Sequence, residues 1–429
     1  MRYDPELSRA CEIVAAKDSQ PLRRALFAKL ASRTPALRAA LAAWEHLGTG
    51  RRAAAFVSPL ALACWLEVPA PKRDADLLAA WKYENERRQI AALAALAPAL
   101  TIESLALRPG AAAGALGTPS WEPRADWALL RAHCAGGDFL VAARVACTIG
   151  YYRRMLPLLA RSRARAVIVS SDANPYAMAL VAAARRLGKR TCFVTHGHVA
   201  EGPPPLDFDL SLLDGPAARA VYERAGPVRG KVVFKGAEGA ARPMDTSRLA
   251  RGVRTLGVVL SILVDFRRVG RALDRLRAEL RPERVVLRLH PNRTMRDPDW
   301  ARHVDLTGVR VSDGARPLGE DAGACDLVVA GNTSAHLTVL KLGVPSAYLA
   351  GLDEMGDDYY GFLREGLVAP FTSDVRALAA FYDDPGWGAR FARFDAGYPD
   401  RQAECDRRVA AALRALAGAS EHPIEERRA

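Results

Sequence analysis

From residue 165 onward, short β-branched apolar runs alternate with stretches of helical period, and Gly, Pro, Asn or Asp marks each change. RAVIVSSD (165–172) predicts a strand, YAMALVAAARRLG (176–188) a helix behind Pro175, and KRTCFVTHGH (189–198) a second strand. Strand, helix and strand within about 30 residues form a βαβ unit, which requires a parallel sheet and a right-handed crossover. DFDLSLLDG (207–215) and KVVFKGAE (231–238) predict further strands on either side of a short helix at 216–226. The pattern pauses over 237–253 and restarts, with strands at 254–263, 283–291, 308–314, 326–331 and 344–351. Helices are expected between them at 266–280, 319–324 and 333–343, and after Asp374 the chain is helical to a charged tail at Glu425–Arg428.

The first part of the chain is less regular. Residues 1–50 are helical in pattern, ended by Gly48 and Gly50. Residues 51–66 begin like a strand, 74–98 read as a helix stopped by Pro98, and 101–109 as another strand. Helical pattern resumes over Trp127–Ala160, broken near Gly136-Gly137 and Gly150. The expected organisation is a helical segment over 1–50, one domain over 51–245 and a second over 246–429, with 237–253 as the linker. Two successive blocks of alternating strands and helices define the α/β class: two Rossmann-like domains whose parallel sheets face a cleft. Neither block carries G-x-G-x-x-G or G-x-x-x-x-G-K-[ST], which argues against ordinary dinucleotide and P-loop sites.

Composition narrows the partners. At 429 residues the chain exceeds one ordinary core. The net charge of +13 favours anionic partners such as nucleotide phosphates or lipid head groups, although general arginine-rich usage would produce the same number. No nucleic-acid-binding motif is visible, so no nucleic acid partner is expected. The basic face of residues 1–50 can meet an anionic membrane surface or simply be solvated. The seven cysteines are scattered and never form C-x-x-C, which fits buried thiols in a reducing compartment. Asp4, Glu6 and Glu12 leave no apolar run for a signal peptide, and no window suits a spanning helix. The expected location is the cytoplasm, free or peripheral on the inner face of the membrane.

Candidate chemistry gathers at strand ends. Gly331-Asn332-Thr333-Ser334 follows an apolar strand and opens a helix. Glycine permits close backbone approach, and two hydroxyls beside unpaired helical N–H groups can hold a phosphate. Plain capping of the helix by Asn332 or Thr333 explains the same residues. His290-Pro291-Asn292-Arg293 ends the strand over 283–291; His290 can donate to a phosphate oxygen, and Arg288 and Arg293 can add charge-assisted bonds. In the other block, His196-Gly197-His198 ends a strand and exposes at least one imidazole as a candidate general base. Asp172 and Asn174, at the neighbouring strand end, would line the same cleft, Asp172 as an orienting group or as a helix cap. His-x-His also suggests metal, but no third ligand has convincing spacing, so no metal site is expected.

With these residues in place, the chain resembles the bacterial GT-B transferases that build surface polymers: CDP-glycerol glycerophosphotransferases, polysialyltransferases and capsule Kdo-transferases. The resemblance rests on Arg288-Leu289-His290-Pro291, on Gly331-Asn332-Thr333-Ser334 and on Thr195-His196-Gly197, with LDEMGDDYYGFLREGLV (352–368) similar to a Tyr/Asp-then-Gly-Phe segment of such enzymes. It spans about residues 165–370 and departs from the glycerophosphotransferases in reading H-G-H-V in place of H-G-x-P. It implies an acceptor domain at 51–245 and a nucleotide-donor domain at 246–429. His290, Thr333 and Ser334 would bind the phosphate of a cytidine nucleotide donor, with Arg288, Pro291, Asn292, Arg293, Gly331 and Asn332 in the same donor site. His196 would be the base, with an acidic residue serving in the polysialyltransferases.

The expected activity is transfer of a sugar or polyol phosphate from a nucleotide-sugar or CDP-polyol donor to a surface glycan or glycolipid acceptor. No bound cofactor or metal is expected. Two other functions fit the sequence: a nucleotide-sugar epimerase or hydrolase, and a non-catalytic nucleotide-binding subunit of a polysaccharide assembly complex.

Overall fold

The computed structural model describes residues 4–35, 38–39, 42, 66–67, 74–109, 123–133, 138–237, 239, 241–291, 300–312, 316–356 and 358–418. Two helices lead: α1 (Pro5–Asp18), capped by the Asp4 carboxylate, and α2 (Pro21–Arg33). The expected strand over 51–66 lies outside the described residues, apart from its last position. There β1 (Leu66–Glu67) pairs antiparallel with Arg108–Pro109.

The first large sheet uses β2 (Leu77–Trp81), β3 (Ile102–Ala106), β5 (Ala166–Val169), β6 (Arg190–Val194), β7 (Asp207–Leu213) and β8 (Arg229–Phe234), with Arg108–Pro109 as β4. All its pairings are parallel, in the order β3-β2-β5-β6-β7-β8. One face is covered by α1, α5 (Phe139–Arg161) and α6 (Pro175–Arg186), and α4 (Pro123–His133) packs on α5. The other face is covered by α3 (Glu84–Leu96).

Residues 74–98 differ from the sequence expectation. Leu77–Trp81 is a strand and only Glu84–Leu96 is helical. LLAAW has good helix formers, but Leu77, Leu78, Ala79 and Ala80 are buried on both faces between β3 and β5. Burial in the middle of a sheet outweighs the few tenths of a kcal/mol per residue of local preference. Gly150 does not break α5 either. The helix runs through it and through Pro157, held by buried Val145, Ile149, Tyr152 and Met155.

Helix α7 (Pro216–Ala225) joins β7 to β8, and after β8 the chain enters the second sheet: β9 (Thr255–Val259), β10 (Arg284–Arg288), β11 (Val309–Ser312), β12 (Leu327–Ala330), β13 (Ser346–Tyr348) and β14 (Ala369–Pro370). These too are all parallel, in the order β11-β10-β9-β12-β13-β14. The core on one side includes α8 (Phe266–Leu280), α11 (Val375–Asp383) and α12 (Trp387–Phe394). On the other lie α9 (Leu318–Gly323) and α10 (Ala335–Lys341). The last described helix, α13 (Gln402–Leu416), returns to the first sheet, where Val409, Ala412, Leu413 and Leu416 share a core with Leu77, Val194 and Leu212.

The two halves are stitched where the chain crosses between them. Lys341 Nζ donates to Ala237 O (2.7 Å) and pairs with Asp395 (2.6 Å), whose other oxygen accepts from the Ala237 amide (2.8 Å). Gln402 Nε2 of the second half donates to Lys235 O (2.9 Å), whose side chain pairs with Asp214 within the first half (2.5 Å).

Because α13 supplies part of the first sheet's core, Leu413→Ala, at a fully buried position, should cost about 2–5 kcal/mol. Denaturant unfolding of the full chain measures this; a loss well under 1 kcal/mol would mean that α13 does not pack as described.

Candidate functional site

Strand order fixes where a ligand can sit. In an open parallel sheet, loops leave in opposite directions where the order reverses, and a crevice opens at the carboxyl ends there. In the second sheet the reversal lies between β9 and β12. The residues just past those strands are Leu260-Ser261 and Gly331-Asn332-Thr333-Ser334, with Leu289-His290-Pro291 past the adjacent β10. In the first sheet the reversal lies between β2 and β5. Ser170-Ser171-Asp172 follows β5, and Thr195-His196-Gly197-His198 follows its neighbour β6. The two groups of candidates therefore occupy the reversal regions of their respective sheets.

In the second-sheet crevice, Gly331 is required by space: a Cβ there would lie 2.2 Å from Asp353 Oδ2. Asp353 accepts from the Asn332 amide (2.5 Å) and from Asn332 Nδ2 (3.2 Å). Asn332 Nδ2 also donates to Gly356 O (2.8 Å), and its Oδ1 accepts from the Tyr359 amide (2.7 Å). Asn332 is buried, and its amide group holds the 353–359 loop against the strand end, where sequence reasoning assigned it to the phosphate. Burial raises the Asp353 pKa, against the bonds from Asn332, Met355 and Ser261 that favour the charged form.

Thr333 and Ser334 are half-buried, and Thr333 Oγ1 accepts from the Ala335 amide (3.2 Å). The Ser334 side chain makes no capping bond. The helix they open has only seven residues, so the hydroxyls carry the anion argument and the helix end adds little. His336, one turn in, is fully buried between Gly331 O (3.0 Å from Nε2) and Ser346 Oγ (2.7 Å from Nδ1). Burial pushes its pKa down to about 4, so the ring is neutral. Nε2–H then donates to the Gly331 carbonyl, and Nδ1 faces the Ser346 hydroxyl, whose proton is shared between the ring and Val328 O, so the ring locks the strand end from beneath.

His290 is half-buried and Pro291 exposed, while Asn292 and Arg293 lie outside the described residues. Arg288 departs from expectation. Its guanidinium is buried against Asp321 (2.5 Å), Ser312 Oγ (3.3 Å) and Arg316 O (3.0 Å). Burial alone would oppose ionisation of Asp321, but bonds from Ser312, Arg310 and Arg288 outweigh it and hold the carboxyl below its usual range. Arg288 thus ties β10 to α9 and has no free face for a ligand phosphate.

In the first-sheet crevice the two histidines separate. The His196 ring is exposed, and its Nδ1 hydrogen-bonds the Ser170 backbone carbonyl. A carbonyl can only accept, so Nδ1 carries the proton and Nε2 of the neutral ring is left with a lone pair. His198 instead packs among Phe362 and Phe394 (both 5.1 Å between centroids) and Tyr360 (5.9 Å), from the other half of the molecule. Among the described residues its Nδ1 is enclosed without a hydrogen-bond partner, and burial pushes its pKa down to about 4. That environment suits an interdomain packing residue and not a base that must reach solvent or substrate. Asp172 is half-buried and accepts from Tyr222 Oη (2.7 Å). Its charge reaches Tyr359 of the second half and Lys17 of α1. Asp353, Tyr359 and Lys17 escaped sequence reasoning. Only the Tyr/Asp segment at 352–368 signalled the first two.

The folded-state pKa of His336, about 4, lies below its ordinary 6.5. As pH falls through 6.5 the unfolded chain takes up a proton that the folded chain refuses until about 4, so this contribution is complete above 6.5 and lost across that window. Between pH 7 and pH 5 the loss should be roughly 2 kcal/mol. Denaturant unfolding at both pH values would record a smaller loss for His336→Gln; equal losses would remove His336 from the account.

No protein-family model matches the chain, and no curated protein matches it by sequence. Solved structures do. The UDP co-structure of Staphylococcus aureus MnaA shares 12% identity, with a TM-score of 0.50 over 81% of this chain and 98% of that one. The UDP-GlcNAc 2-epimerase of Methanocaldococcus jannaschii shares 10%, with a TM-score of 0.48 over 80% and 99%. The glycosyltransferase SnogD of Streptomyces nogalater shares 17%, with a TM-score of 0.45 over 80% and 99%. At such identities the likeness is one of fold: the chain is built as a GT-B protein, two Rossmann-like halves with parallel sheets.

Proposed function

We propose that this chain is a GT-B enzyme that binds a nucleotide-activated sugar or polyol in its second half and transfers it to a glycan hydroxyl presented by the first half. The observation that carries the reading is His196. Its Nδ1 bond to the Ser170 carbonyl leaves Nε2 as a proton acceptor on an exposed ring beside the reversal point of the first sheet. Nε2 takes the acceptor's hydroxyl proton as that oxygen attacks the transferred group. The bond from that group to the nucleotide phosphate breaks, and the phosphate leaves with the bonding pair. Thr333, Ser334 and His290 are the groups proposed to hold its oxygens, a mainly electrostatic contribution. Asp172, tied to Tyr222, orients the acceptor. The acceptor, by resemblance, is a surface glycan or glycolipid.

A second reading is action on the donor alone, as in an epimerase or hydrolase. It is supported by the fold shared with UDP-bound MnaA over nearly that whole chain, an argument from fold that leaves the reaction open.

A thermal-shift panel of CMP, CDP, UMP, UDP and GDP identifies the base, because a ligand of the folded state stabilises by mass action. The Thr333→Ala/Ser334→Ala double variant should lose that shift. His196→Ala should keep it and lose turnover by about 10²–10⁴-fold, measured as nucleotide released from the matching sugar donor with glycan acceptor. Wild-type turnover in His196→Ala would end its assignment as base. Rapid release without acceptor would favour the second reading.

A further inference from the structure

Helix α2 lies between the two halves of the molecule. On one flank Arg24 pairs with Asp138 (3.0 Å) and Phe27 stacks on Phe139 (5.9 Å between centroids), at the start of α5. On the opposite flank Lys29 Nζ donates to Val264 O (2.7 Å) and to Glu354 (2.8 Å), in loops of the second half. Both anchor points are at the carboxyl edges of the sheets: Asp138 begins a helix that runs back to β5, and Val264 follows β9. The helix therefore spans the mouth of the cleft.

At about 100° per residue, Arg23, Leu26 and Leu30 fall between those flanks on a single stripe. All three are half-buried, whereas Pro21, Ala25 and Ala28 on the far side are exposed. A helix with its inner stripe only half-buried, two leucines included, faces a space and not a packed core. Arg23 is the cation on that stripe. It makes no hydrogen bond or ion pair among the described residues, although Arg24 and Lys29 are both paired. Its charge reaches Tyr359 and Tyr360 across the cleft and Lys17 on α1. Tyr359 is bound through its amide to Asn332, within the strand-end group Gly331–Ser334. Asp172 reaches the same tyrosine from the other sheet.

We propose that Arg23 is a substrate-binding residue, and that its guanidinium takes an oxyanion of the bound substrate, a phosphate or a carboxylate, with α2 as a fixed wall of the cleft. The planar fork suits either group, which a lysine ammonium would hold less well. The anion has two possible sources: the phosphates of the donor, or an acidic group on the acceptor glycan. The inference rests on the cleft being the binding site, as in the proposed function, but not on the nucleotide.

Isothermal titration of wild type, Arg23→Ala and Arg23→Lys with UDP, CDP, pyrophosphate and a short oligogalacturonate tests it. Arg23→Ala should weaken at least one class by about tenfold or more, with Arg23→Lys between it and wild type. Loss on the nucleotides or pyrophosphate assigns the anion to the donor; loss on oligogalacturonate assigns it to the acceptor. Because Arg23 is half-buried and makes no ion pair among the described residues, the unfolding midpoint of Arg23→Ala should match wild type. The proposal is overturned if Arg23→Ala binds every probe within twofold of wild type, or if wild type binds none of them. Should wild type bind pyrophosphate or oligogalacturonate through Arg23 but no nucleotide, the nucleotide reading falls and Arg23 stands. Should nucleotide binding depend on Thr333 and Ser334 while Arg23→Ala binds every probe within twofold of wild type, the reverse holds.

Discussion

Everything at the cleft depends on how the two halves are held together, and buried polar groups at the crossing from one to the other make those bonds. Asp214 pairs with Lys235 inside the first half and Lys341 with Asp395 inside the second, and all four side chains are almost wholly enclosed. An ion removed from water without a partner costs several kcal/mol, and deleting one member of such a pair typically costs roughly 3–5 kcal/mol. The backbone at 237 and the side chain of Gln402 complete the set. The pairs are weak evidence for stability in themselves. What bears on the placement of the halves is the set of bonds that cross between them, from Lys341 and Asp395 to the Ala237 backbone and from Gln402 to the Lys235 carbonyl, which any other placement would forfeit.

That placement explains why two histidines two residues apart have unrelated environments. His198 is pressed into Phe362, Phe394 and Tyr360 of the other half. His196, on the opposite side of Gly197, stays exposed with its tautomer set by one carbonyl. Proximity in sequence made them equivalent candidates; the joint between domains makes one a packing residue and leaves the other available for proton transfer.

Much of the architecture was legible. The β-branched runs at 165–172, 189–198, 254–263 and 283–291 contain strands where the period and turn residues place them, and their alternation with helices implies parallel sheets. Leu77–Trp81 was not legible, because leucine and alanine prefer a helix until neighbouring strands bury them on both faces. Strand-end clusters could be located but not sorted. Nothing in RLHP reveals that Asp321, thirty-three residues on, claims the guanidinium of Arg288. Nor does Gly-Asn-Thr-Ser show that the asparagine is consumed by the 353–359 loop. Helix α2 was hardest to read, since Arg23 and Lys29 on its inner side interrupt the apolar stripe by which a packed helix announces itself.

The return of α13 to the first sheet bears on how the chain is made. Synthesis runs from the amino terminus, and domains generally fold in that order as they emerge. Here the face of the first sheet carrying Leu77, Val194 and Leu212 waits for Val409, Leu413 and Leu416, added nearly two hundred residues after β8 ends at Phe234. During that interval the ribosome carries a half-covered sheet while the second half is still being translated. The first half is complete only once α13 has been made and packs on its sheet.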